Sequence, residues 1–80
     1  MDMVEAVQDP EWFFEVRLVN RSGYRTLRVV SVFAGDLPTA QARATGIVNS
    51  EKEPGQSGSI HQIDEERFYQ FPEWQRYYVD

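Results

Sequence analysis

The side chains able to do chemistry in this chain of 80 residues are one histidine, a run of three acids, a few serines and a set of arginines. His61 is the only histidine, so no two-imidazole metal site can form. Its place beside Ile60 and Ile63 on a predicted strand offers no base and orienting partner. Asp64, Glu65 and Glu66 could ligate a hard cation, but a calcium loop needs alternating oxygen donors and a glycine at its bend. A solvated acidic turn is the expectation there. Ser22, Ser31, Ser50, Ser57 and Ser59 lie in no nucleophile-elbow setting, and Gly55 and Gly58 precede a strand rather than the helix that a phosphate cradle requires. The sequence therefore predicts no catalytic residue, no metal and no cofactor, and a protein that is not an enzyme.

The arginines carry a different chemistry. Residues 1–16 hold five acids and no base, residues 17–43 hold Arg17, Arg21, Arg25, Arg28 and Arg43 against Asp36 alone, and residues 44–80 hold seven acids against three bases. If a hairpin registers through residues 20–24, Arg17 and Arg28 fall on one face of a two-stranded ribbon, with Arg21 and Arg25 beside the turn. Four guanidiniums so placed could grip a phosphate backbone. The net charge of −5 opposes that use, because a negative surface repels nucleic acid. Pairing with Glu15 and other acids within the fold is the competing expectation.

The third chemistry is apolar contact. Six of the chain's eleven aromatic residues stand at positions 68–78, namely Phe68, Tyr69, Phe71, Trp74, Tyr77 and Tyr78. Aromatic rings bring the largest apolar area per residue, and Tyr and Trp keep a polar tip. Neighbours on a strand point to opposite faces, so Phe68-Tyr69 and Tyr77-Tyr78 cannot all enter a one-sided core. About half of these rings are expected outside, where Trp74, Tyr77 and Tyr78 with the acids Asp64, Glu65 and Glu66 form the predicted partner-binding surface.

The elements that must position these groups follow from periodicity. Phe14, Val16 and Leu18 alternate with Phe13, Glu15, Arg17 and Val19, which predicts a strand from Trp12 to Val19. Asn20 to Gly23 are turn formers, and a second strand is predicted from Tyr24 to Phe33, with Leu27, Val29 and Phe33 on one face and Thr26, Arg28, Val30 and Val32 on the other. Leu37, Ala40, Ala44, Ile47 and Val48 then repeat with helical spacing behind Asp36 as N-cap and Pro38 in the first turn. A mobile loop is expected over 49–58, a third strand over 59–63, and a fourth extended segment over 67–79 that Pro72 forces to be an edge, bulged or broken. The whole predicts one α+β domain in β-β-α-β-β order, a mainly antiparallel sheet with one helix on one face, and residues 1–10 as a flexible arm.

With no cysteine, disulfides are excluded. The apolar runs are too short to span a bilayer, and the acidic first residues differ from a signal peptide, so a cytoplasmic protein without a membrane partner is expected. A strand followed by AGDLPTAQARATG opening a helix, then GSIHQI and a terminal QRYYVD, resembles over residues 27–80 the small phage-encoded anti-CRISPR inhibitors. The resemblance implies a stoichiometric inhibitor that binds a host nucleic-acid-handling complex in the host cytoplasm, its acids at 64–66 and 51–53 competing for the nucleic-acid surface. Two other readings stay open: a nucleic-acid-binding ribbon using Arg17, Arg21, Arg25 and Arg28, and a self-associating subunit or homodimer paired through its edge segment.

Overall fold

Asn20 and Gly23 close the first hairpin of the computed structural model, which describes residues 9–53 and 55–79. Strand β1 (Glu11–Asn20) turns through Arg21 and Ser22 into β2 (Gly23–Phe33). The Asn20 carboxamide oxygen accepts from the Ser22 amide at 2.8 Å, and Gly23 takes φ +125°, a value that a side chain would oppose. The strands stay in step from this turn to Arg17 opposite Thr26. Val16 then pairs with Arg28, leaving Leu27 as an extra residue. This β-bulge reverses the outward half of β2 relative to a simple alternation. Leu27 and Arg28 thus join Val30 and Val32 on one face, while Thr26 and Val29 lie on the other. The sequence-based faces of Leu27 and Thr26 are corrected accordingly.

Helix α1 (Leu37–Glu51) covers the first face. Asp36 caps it, accepting from the Thr39 amide at 2.9 Å, and hydrogen bonding from the Thr39 side chain and amide holds its carboxyl below the usual range. Ala40, Ala44 and Val48 are buried against Phe14, Val16, Val30 and Val32, with Ile60 at the margin. So narrow a stripe lets the helix lie close to the sheet. Strand β3 (Ser57–Ile63) follows and pairs antiparallel with β1. The predicted loop over 49–58 is therefore shorter, because α1 extends through Glu51 and β3 starts at Ser57.

The predicted fourth extended segment is not one strand. Asp64 caps a second helix, α2 (Glu65–Gln70), a 3-10 turn over Glu73–Gln75 follows Pro72, and only Arg76–Val79 form β4. Glu65 and Glu66 occupy the first turn of α2, where carboxylates face the free amides favourably. Strand β4 adds to β2 in parallel, giving the sheet order β3-β1-β2-β4. Helix α2 rests on the second face, where Phe68 is fully buried against Phe13 and Val29 beneath Ile63 and Phe71. The expected α+β class, with a mainly antiparallel sheet and a helix on one face, is the one observed. A second small core on the other face is the addition. The expected flexible arm falls on residues outside those described, apart from Asp9 and Pro10. The Pro10 carbonyl accepts from the Ala34 amide at 3.2 Å.

Candidate docking surface

Glu15 is the most buried charge of the described residues and explains much of the second face. Its carboxylate accepts from Arg17 Nη2 at 3.2 Å and from the Thr26 hydroxyl, and lies 3.9 Å from Arg67 Nη2 on α2. Burial pushes the carboxyl up, but the bonds from Arg17 and Thr26 and the two guanidinium charges outweigh it and hold Glu15 low. A carboxylate held low contributes stability above the usual carboxylate range, near pH 4.3, and loses it as pH falls through the folded value. The thermal stability gap between the native protein and Glu15→Gln is thus expected to be full at pH 6 and to close below about pH 4. A gap of constant size in unfolding scans from pH 6 to pH 3 would refute this assignment.

This pairing dismantles the predicted arginine ribbon. Arg17 belongs to the second face, bound to Glu15 and 4.5 Å over the Tyr24 ring. The bulge turns Arg28 to the first face, where it meets Glu51 at 2.8 Å and stands 5.7 Å over Tyr77. Arg21 and Arg25 are exposed near the hairpin turn. The expectation that Arg17 and Arg28 share a face is corrected by the register, and the four guanidiniums are not gathered on one surface.

The predicted aromatic and acidic surface is also redistributed. Asp64 spends its carboxylate on the Arg67 amide at 2.8 Å as the α2 cap, and Glu65 and Glu66 stand exposed beyond it. Trp74 is 80% exposed on the 3-10 turn, whose Gln75 side chain donates to the Thr26 carbonyl at 3.4 Å. Tyr77 pairs with Val30 and so faces the α1 side, whereas Tyr78 pairs with Ser31 and faces the α2 side. Consecutive residues on a strand cannot share a face, so Tyr77 and Tyr78 do not form one contact area. His61 lies opposite Glu15 on β3, with Ser59 Oγ 3.2 Å from its Nε2.

What the fold does assemble lies at the end of the second face away from the hairpin turn. Phe68 is the anchor: Tyr69 meets it edge-on at 5.0 Å and Tyr78 at 5.6 Å, and Phe13 closes the cluster from below at 4.9 Å. Tyr69 and Tyr78 keep about half their surface in solvent, 47% and 50%. Phe33, 46% exposed, lies on the same face diagonal to Tyr78, opposite Glu11. Burial, the neighbouring Tyr78, and the charges of Glu11 and Glu65 push the Tyr69 hydroxyl up. Glu11 stands opposite Phe33 and Glu65 one helical turn before Tyr69, which sets both carboxylates beside the rings. The buried Ser31 hydroxyl donates to Glu11, and the Arg76 guanidinium covers Tyr69 at 5.1 Å, which braces the group on two sides.

Three half-exposed rings backed by a buried one, with two carboxylates beside them, can accept a cationic and apolar partner surface. Sequence reasoning included Tyr78 and Glu65 but missed Phe33, Tyr69 and Glu11. The alternation sets Phe33 on the face of Leu27 and Val29, and counting from the hairpin turn sets Glu11 opposite Val32. Only the bulge brings Glu11 and Phe33 together. Compared with known proteins, the chain matches no family model, no curated protein and no solved structure.

Proposed function

We propose that this chain is a non-enzymatic binding module that docks on a cationic surface of a larger protein through Phe33, Tyr69 and Tyr78 and the adjoining carboxylates of Glu11 and Glu65. One observation carries the reading: three large rings remain half exposed on a firmly packed base beside negative charge. Aromatic residues on a rigid support give contact area at small entropic cost, and charge complementarity adds steering and selectivity. The net charge of −5 favours a basic target over nucleic acid itself. A nucleic-acid-handling complex, the target class implied by the anti-CRISPR resemblance, has such a surface, and occupying it would block nucleic-acid entry. Inhibition by competition is the mechanism proposed.

The test is capture from nuclease-treated bacterial lysate with the native protein, Tyr78→Ala/Glu65→Lys and Tyr77→Ala, after circular dichroism shows each to be folded. The expected result is a stoichiometric protein retained by the native chain and by Tyr77→Ala, released by salt, and held at least about tenfold more weakly by Tyr78→Ala/Glu65→Lys. Equal retention by both variants would sink the reading. So would material that disappears with the nucleic acid.

A further inference from the structure

The two edges of the sheet are built differently. Strand β4 is four residues long, starts with Arg76, and is preceded by a 3-10 turn, all of which limit pairing along its outer side. Strand β3 is seven residues long, SGSIHQI, regular throughout its pairing with β1, and contains no Asp, Glu, Lys, Arg or Pro. Among the described residues no strand pairs with its outer side. A long, regular, uncharged edge presents a row of open amides and carbonyls as a template for another strand.

We infer that the outer edge of β3 pairs antiparallel with β3 of a second copy, so that two chains form a continuous sheet of eight strands. A second copy is the occupant that the charges select. In a chain of net charge −5, like chains repel unless they meet where charge is missing, and β3 is such a place. The nearby helix agrees with it: Arg43 of α1 is turned to the Phe33 carbonyl at 2.6 Å, and Glu51 is held by Arg28. The one carboxylate of α1 is thus paired, and the one guanidinium is turned toward its own sheet.

The strand also suits a two-fold axis. Centring the axis on Ile60 overlaps all seven residues of β3 with its copy. Ile60 then meets Ile60, Ser59 meets His61, Gly58 meets Gln62 and Ser57 meets Ile63, without a like-charge pair. Ile60 already packs at the margin of the first core and keeps part of its surface in solvent. Its copy would cover that remainder. Strand β3 and the Phe33–Tyr69–Tyr78 surface lie toward opposite margins of the sheet, so pairing leaves one docking surface free on each chain.

The experiment is the mass in solution by sedimentation from about 5 µM to 1 mM, for the native protein, His61→Lys/Gln62→Lys, and a control with added positive charge elsewhere, Gln70→Lys/Glu73→Lys. The native protein is expected to approach twice the 9.3 kDa of one chain. The β3 variant is expected to remain a monomer with native circular dichroism, and the control to dimerise. Because the chain has no cysteine, Ile60→Cys gives a second reading that does not depend on the lysine variants: air oxidation should link two chains at the axis, while Glu73→Cys should not. A native monomer at 1 mM overturns the inference. A dimer unaffected by His61→Lys/Gln62→Lys, or an Ile60→Cys protein that links no faster than Glu73→Cys, overturns it as well.

Discussion

Phe68→Ala is expected to remove about 3–5 kcal/mol of folding stability, the cost of truncating a fully buried phenylalanine in a packed site. A chain of 80 residues has roughly 4–12 kcal/mol in all, so this one change can unfold much of the population at 37 °C. The reason is geometric. Phe68 packs on Phe13 and Val29 of the sheet and meets both Tyr69 and Tyr78 at the surface, and α2 has no other fully buried side chain. Trp74→Ala, which deletes a larger ring that is 80% exposed, should change stability by less than about 0.5 kcal/mol. Urea denaturation of the two variants checks both values. A Phe68→Ala loss no larger than that of Trp74→Ala would mean that the second core does not support the fold.

The second large effect is expected where helix and sheet come closest. A β-carbon added at Gly58 would stand 2.1 Å from Cγ1 of Val48, far inside contact distance. Valine in a helix has one strongly preferred χ1 rotamer, so the methyl cannot simply swing aside. Gly58→Ala should therefore cost about 1–3 kcal/mol through overpacking, although its backbone conformation suits any residue. Val48→Ala removes the obstructing methyl while losing buried apolar area of its own. The informative quantity is the coupling: Gly58→Ala/Val48→Ala should be more stable than the sum of the single losses by about 1 kcal/mol or more. Additivity within about 0.5 kcal/mol would show that α1 lifts from β3 without strain.

Much of this architecture is legible locally. The alternation of Phe14, Val16 and Leu18, the turn at Asn20–Gly23 and the cap at Asp36 are each decided by residues within a few positions of one another. The stripe of Ala40, Ala44 and Val48 also foretells close helix packing. Three features depend on distant partners. The bulge at Leu27 adds one residue to β2 that no local pattern marks, and it alone separates Arg17 from Arg28 and joins Glu11 to Phe33. Helix α2 was hidden by the β-propensity of Phe68 and Tyr69, though Asp64 followed by two acids and by Phe68 and Phe71 at helical spacing is a helix-start signal. The parallel placement of β4 follows from where Phe68 docks. The candidate surface was half legible for the same reason: its residues are individually conspicuous, but their grouping depends on register.

That parallel pairing has a consequence for the order in which the molecule assembles. The β1-β2 hairpin closes a short loop, whereas both outer strands pair across long ones: β3 meets β1 between residues 38 to 50 positions apart, and β4 meets β2 between residues 47 positions apart. The closure entropy is similar for the two, but the seven residues of β3, backed by α1, return more of it than the four of β4. The three-stranded unit with α1 can therefore form first, and the segment carrying Tyr69 and Tyr78 joins last and detaches first. The aromatic surface exists only in the completed fold, so a partner that grips it also clamps the least protected part of the chain. Binding there would act as a brake on local opening, and occupancy would be written into the lifetime of the protein as well as into its target.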